Sequence, residues 1–152
     1  MKSLELRMPP VALVAIFAVA MFAFSRFVPA TLHIPGKLTL AALFMAVGAL
    51  IALMGVVAFR RHHTTVNPFT PEQSSSLVST GIYRFSRNPM YLGFLLALCG
   101  WCVYCDNWAA ALTLPPFVVY MNRFQIQPEE RALEQQFGKQ YTDYTQTVGR
   151  WL

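Results

Sequence analysis

The chain has 152 residues and a formal net charge of +5; 55% of its residues are hydrophobic and only 12% are charged. A soluble domain typically carries about 25% charged residues, and the apolar residues here come in long blocks. The composition therefore argues against a water-soluble fold and favours a membrane protein of one compact domain. In a membrane protein a basic excess is typical of cytoplasmic flanks, so we expect no nucleic-acid partner.

Two long apolar segments fill the first part of the chain, at residues 11–28 and 38–59. A helix that crosses a bilayer needs about 20 such residues, so residues 1–59 are predicted to form two membrane spans. The second segment also carries small residues, which would let a neighbouring helix approach closely. These are Ala42, Ala46, Gly48, Ala49, Ala52 and Gly55.

A polar segment follows at residues 60–80. It begins with two arginines and contains prolines and a run of three serines, a composition typical of a surface loop. We predict a cytoplasmic loop between the second and third spans.

The third and fourth predicted spans, Pro89–Cys105 and residues 108–121, are separated by only two residues, which predicts an antiparallel hairpin. The fourth contains Pro115 and Pro116. A bilayer tolerates such a break only where neighbouring protein satisfies the freed carbonyls, so we expect a kinked or irregular helix there.

The tail of the chain has a different pattern. Apolar and aromatic residues recur with helical spacing at Leu133, Phe137, Tyr141, Tyr144 and Val148. We predict one amphipathic helix that lies against the membrane or the bundle. The predicted fold is therefore an all-α integral membrane domain over residues 1–152, with four transmembrane helices and this C-terminal amphipathic helix.

The orientation follows from the 12 basic residues. With four spans and both termini in the cytoplasm, all of them except Arg26 and Lys37 lie in cytoplasmic segments. This asymmetry predicts a multi-pass protein with both termini cytoplasmic.

Two polar clusters fall on that predicted cytoplasmic side. The first is Arg87-Asn88-Pro89-x-Tyr91-Leu92-Gly93, preceded by a turn with Gly81 and Tyr83, and the second is Glu129-Glu130. Taken singly, these residues have structural explanations. Asn88 and Pro89 suit the start of a helix, and the two glutamates complement a helix dipole.

In this order, the two clusters resemble the motifs of the integral-membrane methyltransferases, which include isoprenylcysteine carboxyl methyltransferase and the phospholipid N-methyltransferases. The pattern of that family is Arg-His-Pro-x-Tyr-x-Gly, a helical hairpin and a Glu-Glu pair, and Asn88 replaces the usual His. Asparagine cannot act as an acid or base at neutral pH, which argues against proton transfer at this position.

The resemblance implies that residues 81–152 form a core that binds S-adenosylmethionine. The residues implied for cofactor binding are Gly81, Tyr83, Arg87, Asn88, Pro89, Tyr91, Leu92, Gly93, Glu129 and Glu130. Catalytic roles are implied for Glu130 and Arg123, and the alternative for Arg123 is that it is only a flanking positive charge.

The implied function is methyl transfer to a lipophilic or membrane-delivered acceptor: a prenylcysteine carboxylate, a phospholipid amine or a small thiol. Two alternatives stay open, a membrane sterol-type reductase that uses NADPH and has a similar Arg-x-Pro-x-Tyr-x-Gly stretch, and a non-catalytic scaffold protein. We expect membrane lipids as partners and no metal, because Cys99, Cys102 and Cys105 have no fourth ligand nearby.

Overall fold

A computed structural model of the chain describes residues 5–61 and 76–152. In these residues the structure is helical, apart from one isolated bridge between Thr31 and Asn107. The helices are α1 (Pro10–Phe27), α2 (Lys37–Arg61), α3 (Pro89–Cys105), α4 (Trp108–Ala111), α5 (Leu114–Tyr120), α6 (Gln127–Phe137) and α7 (Lys139–Thr147). The predicted all-α class is confirmed, whereas most of the predicted loop, residues 62–75, lies outside the described residues.

Helices α1 and α2 are long and apolar enough to cross a membrane, with 18 and 25 residues and mean hydropathies of 2.0 and 2.6. Most of their apolar side chains are exposed, as expected for a surface that lipid would cover. Helix α3 is also apolar but has only 17 residues.

Helices α2 and α3 make the closest helix pair because glycines lie on both sides of their contact. A Cβ atom on Gly48 would lie 2.5 Å from the carbonyl oxygen of Gly93, and one on Gly100 would lie 2.8 Å from that of Ala41. The close approach expected from the small residues of the second span is therefore confirmed. It fixes α3, and with it the first polar cluster, against α2.

The apolar core lies between α1, α3 and the α5–α6 region. Met21, Leu98 and Phe117 are fully buried there. Trp101 donates from its indole Nε1 to the carbonyl oxygen of Ala18 at 2.9 Å, which joins α3 to α1 without leaving a polar group unpaired.

The fourth predicted span is two helices. Asn107 caps the short helix α4 by accepting from the N–H groups of Ala109 and Ala110. A new helix begins at Leu114 because Pro115, which has no N–H, suits a first turn. The expected irregularity is confirmed, because the residues of the fourth predicted span form two helices rather than one.

From α5 the helix continues through a π-helical segment, Met121–Ile126, into α6. Pro128 has no N–H to donate to the carbonyl oxygen of Phe124 four residues earlier. That oxygen instead accepts from the N–H of Leu6 at 3.0 Å. The N-terminal segment is thereby tied to the helix just before the Glu-Glu pair.

The predicted amphipathic helix of the tail is also two helices, α6 and α7. Gly138 separates them with a positive φ of 51°, a conformation that favours glycine and ends the first helix. Tyr141 and Val148 are nevertheless buried, and the Tyr144 hydroxyl donates to the Tyr83 carbonyl oxygen at 2.6 Å. The tail thus packs on the bundle as expected, although not as one helix.

At the end of α3 far from the first cluster lies the predicted two-residue turn, which we call the 106–107 turn. The Asp106 carboxylate accepts from the Ile34 N–H and from the Lys37 ammonium, each at 3.0 Å. These contacts lower the pKa of Asp106. The Asn107 amide donates to the Val28 carbonyl oxygen at 2.9 Å, so every polar side-chain atom of the turn is paired.

Candidate functional site

The two polar clusters meet in one cavity of about 80 Å³. It lies between a 3-10 turn at Gly81–Arg84, the start of α3, α6 and α7. Six of the predicted site residues line it: Tyr83, Arg87, Asn88, Tyr91, Glu129 and Glu130. The cavity therefore combines side chains from both clusters, as the resemblance implies.

The other predicted residues shape the backbone around the cavity. Gly81 has a φ of +61° and opens the 3-10 turn that carries Tyr83. Pro89 is the first residue of α3, and Gly93 lies against Gly48 of α2. Leu92 on α3 is likewise not among the residues that line the cavity.

Asn88 does not use its side chain to cap α3. Its amide nitrogen Nδ2 donates to the Arg150 carbonyl oxygen at 2.9 Å. Its backbone N–H donates to the Ser86 hydroxyl at 3.1 Å. Asn88 is thus the N-cap residue of α3, as expected for the start of a helix, but its side chain binds the segment after α7 instead of capping the helix.

Glu129 is the centre of a polar network inside the cavity. The Tyr91 hydroxyl donates to Glu129 Oε1 at 2.5 Å, and Gln125 Nε2 donates to the same oxygen at 2.7 Å. Burial raises the pKa of Glu129 to about 7, although both hydrogen bonds oppose this shift. The carboxyl group therefore changes charge near neutral pH.

Glu130 is held by two arginines. Arg150 donates to its two oxygens from Nε and Nη2, at 3.0 and 2.7 Å, and these hydrogen bonds raise the pKa of Arg150. Arg87 Nη2 lies 3.2 Å from Glu130 Oε1. Two guanidinium groups thus share one carboxylate, which leaves a net positive charge on this wall of the cavity.

Besides Tyr91, three more tyrosines line the cavity. Tyr83 packs edge-on against Phe59, with ring centroids 5.3 Å apart, and Tyr141 packs against Tyr144 at 6.4 Å. Burial raises the pKa of Tyr144 to about 12 and also raises that of Tyr141, so both rings stay neutral at physiological pH.

Arg123 has a different environment. Its Nη1 lies 3.0 Å from the Glu5 carboxylate, which also pairs with Arg131, and it is not among the residues that line the cavity. A catalytic role for Arg123 therefore stays a prediction.

Sequence reasoning missed Gln125 and Arg150. Gln125 lies four residues before Glu129, a helical spacing that places the two side chains on one face and was available as a signal. Arg150 offers no such signal, because only the folded chain brings it to Glu130. Within residues 5–61 and 76–152, we find no group of His, Cys, Asp or Glu residues placed to hold a metal ion.

Comparison with known proteins decides the family. The sequence profile of the phospholipid methyltransferases matches residues 37–140, most of the chain. The chain belongs to this family. The resemblance that its two motifs indicate is confirmed, and the family is membrane-associated, with S-adenosylmethionine implied as its methyl donor.

Individual relatives agree with this assignment. An uncharacterised protein of Haemophilus influenzae is 44% identical over 63 residues, which are 41% of this chain and all of that protein. Protein-S-isoprenylcysteine O-methyltransferase A of Arabidopsis thaliana is 33% identical over 109 residues, 70% of this chain and 54% of its own length. The Saccharomyces cerevisiae enzyme named for the same reaction is 35% identical over 81 residues, 51% of this chain and 33% of its own length. The chain thus spans about half the length, or less, of these two methyltransferases.

Proposed function

We propose that this chain is a membrane methyltransferase that transfers a methyl group from S-adenosylmethionine to a lipophilic or membrane-delivered acceptor, with residues 81–152 as its core. One observation carries the proposal: Arg87 and Tyr91 of the first motif line the same cavity as Glu129 and Glu130 of the second. Two motifs that are separate in the sequence thus converge on one site in the order that the family pattern requires.

The cavity residues fit the cofactor that the family implies. S-adenosylmethionine supplies a methyl group on a positively charged sulfur and carries an ammonium group. Glu129 provides a buried carboxylate for the ammonium, and the neutral ring of Tyr83 provides a face for the sulfonium or the adenine. Arg87 and Asn88 complete the polar wall.

The protein contributes position and exclusion of water rather than covalent chemistry. Methyl transfer is an in-line displacement, so the rate depends on how donor and acceptor are held. Glu130 serves this by aligning Arg87, because it forms an ion pair with that guanidinium and accepts hydrogen bonds from Arg150. The tyrosine rings limit access of water to the site.

A carboxylate acceptor fits the site best. The curated relatives are named for methylating isoprenylcysteine, and a carboxylate needs no proton removed before it attacks. A phospholipid amine is the second candidate, in line with the family description. For this candidate, Glu129 acts as the general base that takes the proton of the amine instead of pairing with the donor's ammonium, and its pKa of about 7 is the observation that favours this role.

For the membrane arrangement we propose a multi-pass protein with both termini in the cytoplasm. Helices α1 and α2 form full-length spans, and α3 with α5 completes the bundle. The support is the bias of basic residues toward the proposed cytoplasmic side. Single cysteines at residues 76–80 and after Met121 should react with an impermeant reagent only from the cytoplasm. Reaction of either region from the other side would reject this arrangement.

Calorimetric titration of the detergent-solubilised protein tests the function. We expect binding of S-adenosylhomocysteine and none of NADPH, followed by transfer of a radiolabelled methyl group to one member of a panel. The panel contains N-acetyl-S-farnesylcysteine, phosphatidylethanolamine and a small thiol. Binding of NADPH alone would support the reductase alternative, and binding of neither nucleotide would support the scaffold alternative.

A further inference from the structure

One buried donor in the cavity has no hydrogen-bond partner among the described residues. Of the buried side-chain nitrogen and oxygen atoms in the described residues, only Arg87 Nε makes no hydrogen bond. Buried polar groups are nearly always paired in folded proteins, and the exceptions need an explanation. Since Arg87 lines the cavity, a ligand in the cavity is the natural partner.

The charge around Arg87 indicates which ligand. Its Nη2 contacts Glu130, whose two oxygens are also taken by the fork of Arg150. Within this group of three side chains, two positive charges thus face one negative charge. A guanidinium presents Nε–H and an Nη–H along one edge, and this geometry matches the two oxygens of a carboxylate.

The segment after α7 is hydrogen-bonded to the first motif and to the π-helical segment Met121–Ile126. The backbone N–H of Arg87 donates to the Gly149 carbonyl oxygen at 3.0 Å. The side-chain amide of Asn88 donates to the Arg150 carbonyl oxygen at 2.9 Å. Trp151 Nε1 donates to Asn122 Oδ1 at 3.0 Å. Arg150 therefore reaches Glu130 from a segment that is itself fixed by three hydrogen bonds.

We propose that Arg87, aligned by Glu130 and Arg150, forms a subsite for a carboxylate group, and that Arg150 is a positioning residue of this subsite. The inference rests on the proposed function, because a methyltransferase of this kind has two sources of a carboxylate. One is the amino-acid end of the methyl donor, and the other is the acidic group of an acceptor.

The first arm of the test concerns the donor. Titration calorimetry should compare S-adenosylhomocysteine with its decarboxylated analogue, 5′-S-(3-aminopropyl)-5′-thioadenosine, on the detergent-solubilised protein. If the donor supplies the carboxylate, the wild type should bind S-adenosylhomocysteine about ten-fold more tightly or better. We call the affinity for the ligand with a carboxylate divided by the affinity for the ligand without one the carboxylate ratio. Arg87→Lys and Arg150→Lys should bring this ratio close to one, because an ammonium cannot reproduce the fork.

The second arm concerns the acceptor. The same variants should be titrated with N-acetyl-S-farnesylcysteine and with its methyl ester, which has no free carboxylate. A preference for the free acid that disappears in Arg87→Lys would assign the subsite to the acceptor. The matched control is Arg131→Lys, because Arg131 pairs with Glu5 outside the cavity and should keep both ratios.

A loss of folding is separated from a loss of the subsite by the melting temperature of each variant and by a second variant, Arg150→Gln. The proposal is supported by a variant that melts like the wild type and no longer prefers the ligand with the free carboxylate in one of the two titrations. The proposal is overturned if both ratios survive in Arg87→Lys and in the two Arg150 variants. A wild type that binds neither nucleoside contradicts the proposed function, and the subsite with it.

Discussion

The two ends of α3 carry polar clusters that differ in how completely they are paired. At the 106–107 turn, both oxygens of Asp106 and both polar atoms of the Asn107 amide have partners, all of them in neighbouring turns or helices. At the other end, Arg87 keeps a buried Nε–H without a partner among the described residues, and Glu129 is a buried carboxyl group whose pKa is about 7.

This difference separates a structural cluster from a site. A network that satisfies itself stabilises the fold and has no donor left for a ligand. An unpaired buried donor and a buried carboxyl group with a raised pKa both cost free energy in the folded protein. Groups with perturbed pKa values concentrate at functional sites. Composition alone does not distinguish the two, since both clusters consist of charged and amide side chains next to a helix end.

The largest expected effect is on cofactor affinity when Glu129 is changed. Glu129→Gln removes the negative charge that we assign to the donor's ammonium, and hydrogen bonds to charged groups typically contribute about 1.5–3 kcal/mol. Binding of S-adenosylhomocysteine at pH 8 should weaken ten-fold or more by titration calorimetry. Glu134→Gln, an exposed change on the same helix, is the matched control. Equal affinities in the two variants would contradict the assignment.

The second effect concerns pH. The folded state raises the pKa of Glu129 from an ordinary value of 4.5 to about 7, so it binds more protons than the unfolded state between these values. The stability that this group contributes is fully present below pH 4.5 and is lost as the pH rises through 7. The melting temperature of the ligand-free protein should therefore fall between pH 5 and pH 7.

Glu129→Gln is the control for this pH effect, because glutamine does not titrate. The difference in melting temperature between wild type and variant should change over the same pH range and become constant above about pH 8. A difference that does not depend on pH would show that Glu129 has an ordinary pKa in the folded protein.

A smaller effect on stability is expected at the other end of α3. Asn107→Ala removes the cap of α4 and the bond to Val28, and loss of a helix cap typically costs about 1 kcal/mol. The melting temperature should fall, whereas the affinity for S-adenosylhomocysteine should stay within two-fold of the wild type, an allowance of about 0.4 kcal/mol. A loss of affinity at constant melting temperature would show that the ligand binds near the 106–107 turn, which contradicts the assignment of the site.

The smallest effect is expected for Arg123→Lys. Arg123 pairs with Glu5 and lies over the Phe124 ring, and an ammonium can make both kinds of contact. Methyl transfer and melting temperature should both stay close to the wild-type values. A ten-fold loss of transfer with unchanged melting, equivalent to about 1.4 kcal/mol in the barrier, would instead support the catalytic role that the sequence resemblance implies.

The sequence predicts the parts of the fold that depend on local pattern. The apolar length of α1 and α2 is visible directly, and so are the small residues of α2 that contact α3 and the helix start at Pro89. The periodicity does not reveal the break at Gly138, because the apolar and aromatic residues keep the spacing of one helix across it. Pro115 indicated irregularity, but not that one predicted span consists of two helices.

The site divides in the same way. The order of the two motifs predicts that Arg87 and Glu130 lie close together, because a helical hairpin returns the chain to the same side. The contact of Arg150 with Glu130 depends on how the segment after α7 folds back, and no spacing in the sequence encodes it. Only the folded structure shows that the polar side chains are fully hydrogen-bonded at one end of α3 and not at the other.

Amide hydrogen exchange with and without saturating S-adenosylhomocysteine tests the central claim most directly, because it reports which end of the bundle the ligand stabilises. We predict slower exchange at residues 81–91, 125–133 and 148–151, and no change at residues 28–37 and 106–111. Protection at the 106–107 turn, or no protection around Arg87 and Glu129 at saturation, would contradict the assignment of the site.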